Sequence, residues 1–414
     1  MRSSAFDNDA VDRRWVIVCA LALLASHTVS AQEVAASVSP VTVRTAAEAS
    51  AVVTYWTPER MATAVPLPNS VPIAPAAQAA ALAVPSPAGP PGFRNGSPPT
   101  GVAATGVPVS ILSPLGGDLI SYASATQVYS EPASVSYPSA QTTQVYQGRY
   151  RTYPRSPIGK LFMTIEGTDY AGSACLVGYK YAVTAGHCVN KGDGTTAGWA
   201  TNVLFCPSYD SDQGGPNPAV GCWAGTSLAA STAWTQSADS DMDIGVVILA
   251  SSGTVITNYP GYALGWLGYA WNYPVGQNIM AWGYPAQDRL ATSNNSYAHF
   301  QGGKIVLTAA EEAGYTISLG SGSFAPSKFI GTIQTPGCSG GPWVIRMGIP
   351  YYGQAATGYV NGVNSHTRCW DSACTDLYQE ISSPQFIRSG TGNGVCVGTC
   401  GAVDTIDYAL TNYP

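Results

Sequence analysis

From about residue 160 onward the chain repeats one pattern: an apolar, β-branched or aromatic run of four to six residues, then a cluster of Gly, Pro, Asn or Asp. Such runs fall at 160–165, 181–184, 244–249, 279–282, 315–319, 343–346 and 359–363, and no long amphipathic helical pattern competes with them. Runs of that length, bounded by turn-formers, are strands, and many short strands in series build a sandwich or a pair of barrels. The expected fold class is therefore all-β.

The rest of the chain is organised around that region. Residues 13–31 have the pattern of an export signal: Arg13 and Arg14, an apolar run from Trp15 to Ala25, then Val29, Ser30 and Ala31 as a small-residue cleavage site. Eleven apolar residues fall short of the roughly 20 needed to span a bilayer. Residues 1–31 are thus expected to be a signal peptide, with no stable membrane anchor and a secreted, extracellular product. Residues 32–155 form an Ala/Pro/Ser-rich propeptide without cysteine or sustained periodicity, a composition that builds no stable core alone. It ends in a basic, exposed-looking segment, Arg149 to Arg155, read as the activation site or as a mere linker. Residues 156–388 are the globular domain, and 389–414, opening on Ser389 to Gly394, read as a loose tail tied by Cys396 and Cys400. A net charge of −6, with charged residues at only 10%, gives no reason to expect a nucleic-acid partner.

The chemistry sits in three places. Ser339 lies among glycines, in Gly337-Cys338-Ser339-Gly340-Gly341, where backbone N–H groups can point at a carbonyl oxygen. A serine hydroxyl needs a base, and His187, in Thr184-Ala185-Gly186-His187-Cys188, follows directly on an apolar run. Asp243 precedes the run 244–249 and is placed to hold the imidazole; Asp241 is its rival. The glycine motif also matches the nucleophile elbow of α/β hydrolases, which requires the order Ser, acid, His. Here the order is His187, Asp243, Ser339, with gaps of 56 and 96 residues, and no acid lies between Ser339 and His366. Asp239, Asp241 and Asp243 open like a calcium loop, but Ile244 and Ala250 occupy the positions that would complete it. No metal or cofactor is expected.

These residues resemble the chymotrypsin-fold serine peptidases, particularly the secreted branch that contains the glutamyl endopeptidases. The likeness rests on Gly159 to Phe162, Thr184 to Cys188, Asp243 to Gly245, Trp282 to Pro285, Gly337 to Trp343 and, in the proregion, Tyr55 to Met61. It implies two six-stranded antiparallel barrels with the active site in the cleft between them, His187 and Asp243 on the first and Ser339 on the second. It also implies an oxyanion hole from the N–H groups of Gly337 and Ser339. His366, Thr335 and Ser365 would line the substrate pocket, with His366 either binding an acidic substrate side chain or simply packed. Ile333 stands where trypsin-type enzymes carry an acid, so cleavage after Lys or Arg is not expected. Cys338 replaces trypsin's aspartate before the nucleophile, so activation would proceed by removing a propeptide that blocks the cleft or assists folding.

Losing the signal takes Cys19 away and leaves nine cysteines, an odd number. The family pattern pairs Cys175 with Cys188, and Cys206 with Cys222 would close a local loop. Cys369, Cys374, Cys396 and Cys400 are spaced like zinc ligands, but an exported chain favours disulfides; their pairing, and that of Cys338, stays open. The resulting expectation is a monomeric serine endopeptidase made as a proenzyme, acting on polypeptides. The alternative is a silent binding protein on the same fold.

Overall fold

The computed structural model describes residues 32–40, 42–43, 45–68, 70–72, 89–100, 141–144, 149–209, 215–286, 304–319, 322–332, 334–349, 357–369, 380–390, 392, 394–397 and 400–414. The expected export signal, Asn294 to Ser296 (a glycosylation sequon), Ile333 and Cys374 lie outside the described residues.

The segment expected to be a propeptide contributes β1 (Ala36–Val38), α1 (Ala46–Tyr55), α2 (Pro58–Thr63), β2 (Val65–Pro66) and β3 (Ser70–Pro72). Thr45 and Glu48 cap α1 reciprocally, so its first N–H groups are satisfied locally. Val52, Trp56, Met61 and Leu67 are buried in the core of the domain that follows. The Trp56 ring lies 5.2 Å from Phe162, and Arg60 pairs with Asp169 at 2.8 Å.

The first barrel is formed by β4 (Ile158–Ile165), β5 (Thr168–Leu176), β6 (Tyr181–Thr184), β7 (Thr201–Pro207), β8 (Trp223–Ser231) and β9 (Gly245–Leu249). Between β8 and β9 runs α3 (Thr232–Ser237). The pairing order is β7–β4–β5–β6–β9–β8, and β7 then pairs with β8 to close the ring. A two-residue turn at Glu166 and Gly167 sets the β4–β5 register, with Ile165 opposite Thr168. At the closing seam Phe205 faces Trp223, and the next residues along each strand, Cys206 and Cys222, form a disulfide.

The second half contains β10 (Gly268–Trp271), β11 (Asn278–Gly283), β12 (Val306–Glu311), β13 (Ala313–Leu319), β14 (Gly322–Gly331), β15 (Pro342–Ile349), β16 (Thr357–Val363), β17 (Thr367–Cys369) and β18 (Glu380–Ser383). β10, β16, β15, β11 and β12 pair in that order as one sheet, and β13, β14 and β18 pair as another. The architecture is chymotrypsin-like: a closed six-stranded antiparallel barrel beside a second β unit. Among the described residues the second unit is two sheets, without the hydrogen-bonded closure of the first.

Two expectations are corrected. The tail is not loose: α4 (Ala402–Asn412) buries Ala402, Val403, Ile406 and Ala409. Glycines dominate only as far as Gly401; beyond it the apolar spacing becomes helical, and Asp404 caps the turn by accepting from the N–H groups of Ser389, Gly390 and Gly401. The basic segment 149–155 is not exposed either. Tyr150 is buried, Arg151 and Arg155 are half-buried, and Ser208 of the first barrel donates to the Tyr150 carbonyl.

Candidate active site

β6 ends at Thr184, and the chain turns through Gly186–Cys188, which carries His187 out of the barrel wall. Asp243 lies at the foot of β9, fully buried. Its Oδ1 accepts the His187 backbone N–H at 2.7 Å, and its Oδ2 accepts His187 Nδ1–H at 2.8 Å. This double grip fixes both the turn and the ring. Asp241, the rival, lies in the preceding turn, where its N–H donates to Asp239.

Ser365 and His366, expected to line the substrate pocket, are brought to the far side of the same carboxylate. Ser365 Oγ donates to Asp243 Oδ2 at 2.6 Å and lies 2.6 Å from His366 Nδ1. The hydroxyl proton is committed to the carboxylate, so His366 Nδ1 carries the hydrogen and donates to Ser365. The rings of His366, His187 and Trp234 of α3 form a triangle, with centroids 5.3 Å apart for the two histidines, 5.9 Å for His366 and Trp234, and 6.2 Å for His187 and Trp234. Burial pushes the His366 pKa down to about 4, against the pull of Asp243, so the ring is neutral near pH 7.

Burial would push the Asp243 carboxyl up, but the His187 charge and hydrogen bond, the His366 charge and the Ser365 hydroxyl bring it down to about 2. Burial likewise pushes the His187 imidazolium down, and the Asp243 charge outweighs it, leaving His187 well above the ordinary histidine value.

Ser339 sits in a turn clamped from both halves of the molecule. Its carbonyl accepts the Ser173 N–H of β5 at 2.7 Å, and the Gly337 carbonyl accepts the Ser173 hydroxyl at 2.9 Å. From the other side the Asn364 carbonyl accepts Gly340 N–H at 2.7 Å, and Asn364 Nδ2 donates to the Cys338 carbonyl at 3.1 Å. The Thr335 carbonyl accepts Cys338 N–H at 3.2 Å and tightens the start of the turn. Gly337 has φ +99°, and Gly340 has φ +80° with no room for a Cβ beside Thr184 Oγ1, so both positions require glycine. Among the described residues neither Gly337 N–H nor Ser339 N–H donates a hydrogen bond, which leaves both for an oxyanion. Ser339 Oγ and His187 Nε2 are buried and not yet bonded to each other. Hydrogen bonds of this kind are commonly long before substrate arrives.

Sequence reasoning missed Ser173 and Asn364, which pin the Ser339 turn. Neither stands in a recognisable motif; only the approach of β5 to residues 337–341 gives them a role.

The pairing of Cys175 with Cys188 is not formed: both keep buried thiols. Cys188 Sγ lies over Gly172, three residues before Cys175 on β5. An odd offset puts those two positions on opposite faces of the strand. Three residues also span about 10 Å, beyond disulfide reach. Cys206–Cys222 and Cys396–Cys400 are bridged, and the second bridge removes two of the four ligands of the zinc alternative.

No protein-family model matches the chain. Over 128 residues it is 31% identical to the extracellular metalloprotease of Bacillus subtilis, covering 30% of this chain and 36% of that relative. The chain thus spans little more than a third of the curated relative it matches. Among solved structures it is similar to the protease Anisep from Arthrobacter nicotinovorans, with 26% identity over 56% of this chain and 90% of that one, TM-score 0.41. It is also similar to the thermostable serine protease AL20 from an extremophilic microorganism, with 28% identity over 63% and 99%, TM-score 0.43. A Glu endopeptidase in complex with MPD matches at 16% identity over 65% and 95%, TM-score 0.41.

Proposed function

We propose that this chain is a secreted serine endopeptidase, made as a proenzyme, that cleaves polypeptides through Ser339, His187 and Asp243. The observation that carries the reading is the buried Asp243 gripping His187 at both its N–H and its Nδ1, beside a serine held in a two-glycine turn with free N–H groups. His187 Nε2 takes the Ser339 proton as Oγ attacks the peptide carbonyl. The developing oxyanion is held by the N–H groups of Gly337 and Ser339. The tetrahedral centre then collapses, His187 hands its proton to the leaving amine, and a water repeats the sequence on the acyl-enzyme. Identity to an extracellular protease supports export, and among the described residues no helix is long and apolar enough to cross a membrane.

The word metalloprotease in that relative's name directs attention to His187, Asp243 and His366, whose ligand atoms lie within 4.8 Å of one another. That cluster suits proton transfer better than a cation. Both Asp243 oxygens already accept protein N–H or O–H donors, and a cation at Nδ1 of His187 would lie on the side of the ring away from Nε2. The test is labelling with a fluorophosphonate and hydrolysis of a peptide library, with and without a chelator. Labelling at Ser339 and chelator-resistant cleavage, both lost in Ser339→Ala, are expected; cleavage that survives Ser339→Ala ends this reading.

A further inference from the structure

We infer that, in the uncleaved chain, residues 65–68 and 70–72 anchor a strap over the catalytic cleft, held by β5 on one side of Ser339 and by β17 on the other, and that this backbone pairing excludes peptide substrates. The inference rests on the protease reading above.

On the first side β2 pairs in parallel with β5, Val65 opposite Tyr170 and Pro66 opposite Ala171. Leu67 N–H then donates to the Ala171 carbonyl at 2.9 Å, and the Leu67 side chain is buried. Two residues further along β5 is Ser173, whose N–H holds the Ser339 carbonyl. On the second side β3 pairs in parallel with β17, with Ser70, Val71 and Pro72 opposite Thr367, Arg368 and Cys369. Two residues before Thr367 is Ser365, bonded to Asp243. The strap is therefore anchored within two residues of a triad contact on each flank. Three residue steps separate Leu67 from Ser70, a reach of about 10 Å in extended chain. Both pairings are parallel, so one continuous stretch of chain accounts for both. Between the anchors Ser339 has no exposed surface, and His187 Nε2 and Ser339 Oγ are shut away from solvent.

A strand edge accepts one added strand at a time. A substrate peptide that adds to β17 must displace β3, and one that adds beside Ala171 must displace β2. Each anchor is only two or three residue pairs long, too short to hold a free peptide tightly. Tethering raises the effective concentration of the strap and keeps it seated; a cut that detaches it removes that advantage. The segment 149–155 lies far along the chain from the strap, so a cut there alone leaves the strap tethered to the rest of the proregion. Release then needs a second cut or dissociation of the whole proregion.

The test compares full-length chains. In one, residues 65–72 are replaced by an eight-residue Gly/Ser stretch; hydrogen exchange is read on the Ser339→Ala background, and fluorophosphonate labelling on chains that keep Ser339. The swap is expected to expose the amides of residues 367–369, leave those of β4 protected, and speed labelling of Ser339 by about tenfold or more. Unchanged exchange at 367–369 and unchanged labelling, with β4 still protected, would overturn the strap. Failure of Ser339 to label in any chain while 367–369 become exposed counts against the protease reading and not against the pairing. If the swapped chain loses β4 protection, the Ser70→Pro/Val71→Pro chain serves instead. Alternate amides of a strand point to opposite edges, so at least one of the two substitutions disturbs the β17 side.

Discussion

The two β units are held together differently. The first barrel closes on itself through hydrogen bonds, carries the Cys206–Cys222 bridge at the closing seam, and fills its interior with apolar side chains such as Leu161, Met163, Leu176 and Val247. Among the described residues the second is two sheets, and inside it lies a buried ion pair: Lys328 Nζ meets Glu312 at 2.9 Å and the Asn361 carbonyl at 2.6 Å, with both charged side chains almost entirely shielded. His187 and Asp243 sit on the closed unit, Ser339 on the other. The His187–Asp243 geometry is therefore built into one rigid body, whereas Ser339 depends on contacts made across the cleft.

That contrast can be broken at its strongest point first. Asp243→Asn keeps the size of the side chain but loses the acceptor that sets the His187 tautomer; kcat is expected to fall by about 10^4 with the fold intact. Steady-state kinetics and circular dichroism check both halves of the statement. Next, Lys328→Met leaves Glu312 buried without its counter-charge, keeping only the Gln277 N–H, at a cost of about 3–5 kcal/mol, whereas replacing both with apolar residues of similar volume should recover most of it. Urea denaturation of the single and double variants distinguishes a charge that specifies the open unit from mere packing. Removing the seam bridge with Cys206→Ala and Cys222→Ala should cost about 3 kcal/mol, as expected for a loop of this length. Thermal unfolding measures it, and a far smaller loss would show that the hydrogen-bonded closure suffices. Ser173→Ala should cost about 1–3 kcal/mol, since it removes the hydroxyl that holds the Gly337 carbonyl and accepts from Tyr284 N–H. Because that hydroxyl joins the two units, kcat should fall while KM moves little.

The subtlest effect is on pH. The proposed mechanism needs neutral His187, and the Asp243 charge holds its pKa above the ordinary value, so the acidic limb of kcat/KM should lie above pH 6.5. In Asp243→Asn the largest charge opposing burial is gone, only the smaller effect of Cys188 remains, and the limb should move downward. The same shift stabilises the fold below the unfolded histidine value, and that contribution is lost as pH rises through the folded value. Asp243 acts oppositely: its contribution is present above the unfolded carboxyl value and is lost as pH falls toward about 2.

Some of this was legible in the residues alone. Strand positions such as 160–165 and 244–249 follow from local composition, and the Cys206–Cys222 bridge joins neighbours across one seam, so both are encoded by near-neighbour pattern. The order of His187, Asp243 and Ser339 excluded the α/β hydrolase arrangement before any geometry was available. The periodicity of α4 was also present, in Val403, Ile406 and Ala409, but was masked by the glycine-rich stretch before it. Other features belong to the folded molecule. Whether Cys188 faces Cys175 or Gly172 depends on a three-residue offset along β5. Ser365 and His366 reach Asp243 only because the two units meet at that carboxylate. Ser173 holds the Ser339 turn, residues 65–67 lie beside β5 and residues 70–72 beside β17, through contacts between segments more than a hundred residues apart. Local propensity acts over a few residues, whereas these contacts depend on which strand edges the closed barrel and its open neighbour leave unpaired.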